Sequence, residues 1–138
     1  MKAITSILVL LLVSFEVGQV LSGKASWYTA STNKHTASGY KFDPGRLEAA
    51  HKYLPFGTVV KVRRPMKDGP DLFTTVVITD RGPYIAGRII DLTPAAAKEL
   101  DMLSTGVAPC KVLILKLGPC KTYKCYKKHP YERGRKVY

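Results

Sequence analysis

A chain of 138 residues suits one domain and leaves no room for several. Lys and Arg number 22 against 10 Asp and Glu, so the net charge is +12, which points to acidic partners. No nucleic-acid-binding motif accompanies that charge, so nucleic acid is set aside as a partner.

The chain begins with a basic residue, Lys2, followed by the apolar run Ile4–Phe15 and then Val20-Leu21-Ser22, which ends on a small residue. This pattern reads as a secretory leader at 1–22. Its apolar run of about 12 residues is short of the roughly 20 that span a bilayer, so export is expected rather than a transmembrane anchor. With no cysteine near the cut, a lipid-modified N-terminus is not expected either. Lys2 and Glu16 cancel, so the exported part, 23–138, keeps the whole net charge.

Lys24–Thr29 is short, aromatic and suited to a strand. The polar stretch 30–39 reads as a loop, and "FDPG" at 42–45 is a turn signal, because Pro44 fixes φ and Gly45 permits positive φ. "RLEAAHKYLPFG" leads to a second break at Pro55 and Gly57. In Thr58–Arg64, Val60 and Val62 alternate with Lys61 and Arg63, the pattern of a half-buried strand. "PMKDGPD" is a hairpin loop. Leu72–Thr79 is β-branched and reads as a buried strand, and Arg88–Leu92 as another. Thr93 and Pro94 then open a helix as N-cap and first helical residue, and the Ala-rich run carries it to about Met102. Lys111–Leu117 closes the series.

The total is about six short strands and one short helix in under 100 residues. With so little to cover a sheet face, the expected fold is all-β, a small closed barrel. It spans 23–118, with a basic Cys- and Tyr-containing tail over 119–138. From Cys120 onward seven Lys and Arg face one acid, Glu132, so half the net charge lies in the tail. Such a tail is either solvated and poorly ordered or an attachment to an anionic wall polymer or lipid. Tyr123, Tyr126, Tyr131 and Tyr138 are interleaved with its charges.

The chain has three cysteines, and an oxidising compartment suits one disulfide and one spare thiol. A strand from Cys110 to Cys120 would span about 33 Å, whereas bridged Cα atoms lie within about 7 Å. Cys120–Cys125 is therefore expected. Cys110–Cys125 would need the tail to fold back. No His lies at zinc-ligand spacing from the cysteines, so neither a metal nor a cofactor is expected.

"GKASWY", "TASGYKFDP", "AAHKYLPFGTVVKV", "VVITDRGPYIAGRIIDLTPAAAKELDM" and "GVAP" occur in this order from about Gly23 to Leu117. Together they resemble the rare lipoprotein A family, exported double-psi β-barrel proteins related in fold to expansins. The resemblance implies a lytic transglycosylase of the periplasm or cell wall. Such an enzyme cleaves the bond between N-acetylmuramic acid and N-acetylglucosamine in peptidoglycan glycan strands, some already stripped of peptide, and leaves a 1,6-anhydro end. It also implies catalytic roles for His51 and Asp80, and it places Asp91 where related barrels carry an acid. Two positions depart from the family. Tyr40 stands where a glutamate is frequent, and Glu48 stands where a threonine is usual. Glu48 could replace the missing acid only if a bulge turned it toward His51, since residues three apart on a strand face opposite sides.

The chemistry needs a group that protonates the glycosidic oxygen and one that takes the proton of the attacking C6 hydroxyl. One carboxyl can do both in turn if its pKa is raised. Asp80, at the end of a buried strand, is the expected acid and base, although Arg81 beside it would hold it ionised if the two paired. As alternatives, Asp80 could simply form its turn, and Asp91 could serve the helix start through the helix dipole. Tyr84, Tyr40, Tyr28 and Trp27 offer aromatic faces to sugar, with Arg81 as a further contact. Trp27 and Tyr28 alternate, so one belongs to the core. Two other functions fit the same fold, a wall-binding module without catalysis and a protein-binding barrel such as a protease inhibitor.

Overall fold

The computed structural model describes residues 14–31, 33–128 and 131–137, with the side chains of 126–128 left aside. The apolar stretch up to residue 13, Tyr138 and the side chain of Tyr126 lie outside the described residues. Six strands close on one another: β1 (Val20–Trp27), β2 (Glu48–Ala50), β3 (Val59–Arg64), β4 (Leu72–Asp80), β5 (Arg88–Leu92) and β6 (Val107–Lys116). Their order around the barrel is β1-β5-β2-β4-β3-β6. The pairs β1–β5 and β2–β4 are parallel, and the other four are antiparallel. This is the expected all-β double-psi barrel. Inward-facing Val60, Val62, Val76, Ile78, Ile90 and Ile114 are fully buried and fill it. No helix among the described residues is long and apolar enough to cross a membrane.

Several boundaries move from their expected places. β1 begins at Val20, where Val20, Leu21 and Ser22 already pair with Leu113, Val112 and Lys111. The expected cut after Ser22 therefore falls inside a strand. β6 begins at Val107 rather than Lys111, passing through Pro109. Proline is tolerated there because the β3 register ends at Lys111, so Pro109 has a sheet neighbour on one side only. The helix α1 spans Pro94–Glu99 and ends before Met102. Thr93 stands at its N-cap without a side-chain cap bond. Its hydroxyl instead donates to the Arg46 carbonyl (2.6 Å) and accepts from the Glu48 amide (3.3 Å), tying the helix start to the entry of β2.

The tail is the larger correction. It holds a second helix, α2 (Tyr123–Lys128), with Lys121, Thr122, Tyr123 and Lys124 exposed, and its residues 131–137 return to the barrel. Cys120 and Cys125 are bridged as expected, with Cα atoms 5.2 Å apart. Cys110 is free and buried, and burial pushes its thiol up to about 11. Residues 131–137 then run back along 45–48 as an extra strand-like strap. Leu47 N donates to Arg135 O (2.8 Å) and Val137 N to Gly45 O (2.6 Å). Gly134 is required at this crossing, because any Cβ there would collide with the Leu47 carbonyl.

Candidate active site

The site is built by an irregularity in one strand pair. Glu48 pairs with Val77 and Ala49 with Ile78, but Ala50 pairs with Asp80, so the β4 register slips by one residue at Thr79. Side chains alternate along a strand, and one extra residue re-aims the side chains beyond it. The slip brings Asp80 level with Ala50. On the other side of β2, Ala50 pairs with Asp91, and Asp91 pairs with Ser26 of β1. A row Ser26–Asp91–Ala50–Asp80 thus crosses four strands, with the small Ala50 between the two carboxyls.

Both ends of the row are tied down. Ser26 Oγ donates to Asp91 Oδ1 (3.1 Å). Asp80 Oδ1 accepts from the Ala37 amide (2.8 Å) and the Arg81 amide (3.0 Å), and Oδ2 accepts from the Tyr28 hydroxyl (3.0 Å). The loop carrying "TASG" folds over the end of β4 to supply the Ala37 amide, held there by Ser38 N to Thr79 O (3.2 Å). Burial, then the charge and hydrogen bond of Asp80, then Asp91 and Glu48, push the Tyr28 phenol far above its ordinary range, so it remains a proton donor. Asp91 is pushed up chiefly by burial, with the Asp80 charge adding to it and the Ser26 hydrogen bond and Arg88 opposing.

His51 follows Ala50 and is 5% exposed. Its amide donates to the Asp80 carbonyl (3.2 Å), so the two expected catalytic residues are joined through the main chain. The imidazole turns the other way. Nδ1 accepts from the amides of Tyr53 and Leu54, both at 3.0 Å, which places the proton of the neutral ring on Nε2. Burial, with Arg81 and Lys52 adding, lowers its pKa to about 4. The ring of Phe15 meets it edge-on at 6.0 Å.

Arg81 does not pair with Asp80. Its guanidinium donates to the carbonyls of His51 (3.1 Å), Leu54 (2.7 Å) and Lys121 (3.2 Å) and lies 3.9 Å over the Phe56 ring. It clamps the 51–56 turn. Trp27 Nε1 donates to the Met102 carbonyl (3.1 Å) and its ring packs partly buried against the core, while the Tyr28 hydroxyl reaches Asp80 in the row. Tyr84 is 77% exposed beside the turn after Asp80, where an aromatic platform was expected.

Glu48 and Tyr40 belong to the strap. Glu48 is 2% exposed, and Arg133 meets it with Nη2 to Oε1 at 2.7 Å and Nε to Oε2 at 3.2 Å. The Gly134 amide adds a bond to Oε2 (3.0 Å). The Arg133 guanidinium also lies 4.5 Å over the Tyr40 ring, whose hydroxyl donates to the Tyr131 carbonyl (2.8 Å). Glu48 therefore does not stand in toward His51. It is a buried anion neutralised by a cation from the far end of the chain. Sequence reasoning missed Ser26 and Arg133. Ser26 could have been read from alternation with Trp27 on β1, but no local pattern marks Arg133.

A family model described as lytic transglycolase matches residues 20–112. The chain is 44% identical over 99 residues to a probable endolytic peptidoglycan transglycosylase of Aquifex aeolicus, covering 71% of this chain and 42% of that protein. An endolytic peptidoglycan transglycosylase of Campylobacter jejuni is 38% identical over 103 residues, covering 74% of this chain and 36% of the relative. A probable one of Treponema pallidum is 47% identical over 108 residues, covering 76% and 32%. The chain thus spans well under half the length of these relatives. Among solved structures, the Streptomyces papain inhibitor superposes with a TM-score of 0.60 at 23% identity, covering 75% of this chain and all of that one. An expansin of Clavibacter michiganensis in complex with cellohexaose gives 0.57 at 18% identity, covering 73% and 54%. At these identities the two structures establish the fold and nothing more.

Proposed function

The chain belongs to the lytic transglycolase family, and on that premise we propose that it is an exported peptidoglycan lytic transglycosylase whose two aspartates share the proton work. The observation that carries this reading is the row that sets Asp91 and Asp80 on either side of Ala50. Two inter-strand steps separate their Cα atoms by about 10 Å, room for a glycosidic bond between the carboxyls. Asp91, whose carboxyl burial pushes up from its ordinary range, is the acid. Asp80, the acceptor of three hydrogen bonds, is the base.

The C6 hydroxyl of the muramic acid residue loses its proton to Asp80, and O6 bonds to C1. The C1–O4 bond to the next sugar breaks, and O4 takes the proton of Asp91. No water is consumed, and the product ends in a 1,6-anhydro ring. Tyr28 orients Asp80 and remains protonated beside it. His51, neutral, shapes the turn at the mouth of the site. Tyr84 gives the sugar an apolar face to lie on.

The test is mass spectrometry of products from peptidoglycan sacculi, with and without prior removal of stem peptides. The parent protein is expected to release anhydro-ended fragments. Asp80→Asn and Asp91→Asn should each lower that release by about 10²-fold or more, the usual contribution of a general acid or base. Binding to sacculi with no fragments from the parent would replace this reading with a wall-binding module. Inhibition of a papain-type protease without either property would favour a protein-binding barrel.

A further inference from the structure

A second register slip lies beside the carboxylate row, on β5. Lys24 pairs with Arg88, but the next residue of β1, Ala25, pairs with Ile90, so Ile89 is an extra residue. On a regular strand Arg88 would face the opposite side from Asp91, three residues away. The slip cancels that difference. Lys24 and Arg88 form a rung that faces as the Ser26–Asp91 rung does, two residues away along β1, or about 7 Å. The charge of Arg88 acts on the Asp91 carboxyl, which agrees with this placement.

Beyond β2 the chain turns through His51, Lys52 and Tyr53, and this turn meets the same rung. His51, Lys52, Tyr53, Arg88 and Ile89 line one cavity. Phe15 and residues 20–22 form its other wall, whereas the cationic wall belongs to the barrel. Lys52 and Arg88 are half-buried, Lys24 is exposed, and Tyr53 is 69% exposed. Among the described residues, these three cations make no ion pair, although Arg46, Arg63, Arg133, Arg135 and Lys136 each do. Like charges directly opposite each other, as Lys24 and Arg88 are, cost stability, and an anion beside them relieves the repulsion.

We propose that Arg88 and Lys52, with Lys24 at the edge, form a subsite for a carboxylate carried by the glycan strand, the free lactyl carboxylate of a muramic acid residue. This assignment rests on the transglycosylase reading for the identity of the sugar. In a strand of alternating N-acetyl sugars the lactyl group is the anionic substituent, and attachment of a stem peptide turns its carboxylate into an amide. The planar guanidinium of Arg88 matches a carboxylate with two parallel N–H donors, and Lys52 adds a point charge. Tyr53 beside them offers an aromatic face to a sugar. The subsite lies close enough to Asp91 for a strand bound across the row to be read at one of its substituents. Arg88 and Lys52 are thus specificity-determining residues, set apart from the two aspartates that move protons.

The experiment uses the full chain and soluble glycan strands freed of stem peptides, in two forms. One keeps the lactyl carboxylate, and in the other carbodiimide coupling has turned it into an N-methylamide. Affinity is read by calorimetry with Asp80→Asn as the common background, so that strands stay whole. Release of anhydro ends is read from the parent by mass spectrometry. The carboxylate form should bind about tenfold more tightly than the amide form, the contribution of a charge-assisted pair. Arg88→Gln and, independently, Lys52→Gln should each remove most of that preference by weakening the carboxylate form alone, and Arg88→Lys should keep part of it. Lys61→Gln, on β3 across the barrel from β5, should leave the preference intact. Equal affinity for the two forms before any of these changes, or an Arg88→Gln variant that weakens both forms alike, would overturn the assignment. A loss of preference in Lys61→Gln as large as in Arg88→Gln would overturn it in favour of diffuse attraction to a chain of net charge +12. The expected preference without anhydro ends from either form would remove the transglycosylase reading and leave the carboxylate subsite standing.

Discussion

Asp91 carries a cost in stability for which the proposed acid role gives a reason. Burial and the neighbouring Asp80 disfavour its charged form, so the fold holds this carboxyl against its ordinary ionisation. A group of this kind destabilises the protein as pH rises through the ordinary carboxylate range toward the folded pKa. Asp91→Asn is therefore expected to raise the melting temperature at pH 7 while lowering anhydro-product release by about 10²-fold or more; a lower melting temperature would show that the carboxylate is structural. His51 gives the opposite signature. Its folded pKa of about 4 lies below the ordinary 6.5, so the folded protein keeps it neutral where an unfolded chain would bind a proton. Its contribution is complete above pH 6.5 and fades as pH falls toward 4, by about 3 kcal/mol in all. Urea titrations across that window should show stability falling with acid. His51→Asn, which keeps an acceptor for the Tyr53 and Leu54 amides, should flatten that part of the slope.

The strap and β2 form one unit although 85 residues separate Arg133 from Glu48. β2 is three residues long and buried along its whole length, and strand propensity alone does not make so short a segment. β4 and β5 hold its edges, while the strap lies along the segment that leads into it. Taking away the cation would leave a buried, unpaired carboxylate. Arg133→Met is expected to cost about 3–5 kcal/mol in urea unfolding, and Glu48→Thr with Arg133→Met to recover most of it. If the single and double variants were equally destabilised, the strap would be held by its main-chain bonds and not by the ion pair.

At the scale of the whole molecule, charge is sorted by where the chain can neutralise it. Of the seven cations in the tail, which carries half of the net charge, Arg133 and Arg135 lie against Glu48 and Glu99, while Lys121 and Lys124 are exposed. The barrel face of β1, β6 and β3 keeps its lysines without acidic partners among the described residues. Removal of 129–138 should therefore lower stability, by opening β2, more than it lowers retention on anionic surfaces. A truncated chain that lost all salt-sensitive retention but unfolded at the same urea concentration would contradict that division. The start of β1 matters in the same way. A chain beginning at Gly23 loses the Val20, Leu21 and Ser22 rungs against β6, and comparing its unfolding with that of a chain beginning at Ser14 would measure their worth.

Alternation, turn residues and cysteine spacing were enough to determine an all-β barrel, the Cys120–Cys125 bridge and Asp80 at a strand end, because each depends on neighbours within a few residues. The ordered motifs placed Asp91 in the same site by resemblance. Only the tertiary structure decided which residues share a face. A one-residue slip at Thr79 sets Asp80 level with Asp91. Alternation on β1 could not tell Tyr28 from Trp27 as the residue at the row until Trp27 was bonded to Met102. Arg81 became a clamp, and Glu48 found its cation 85 residues away. Such outcomes are set by register and chain return, which couple residues far apart in sequence, and local pattern carries no record of them.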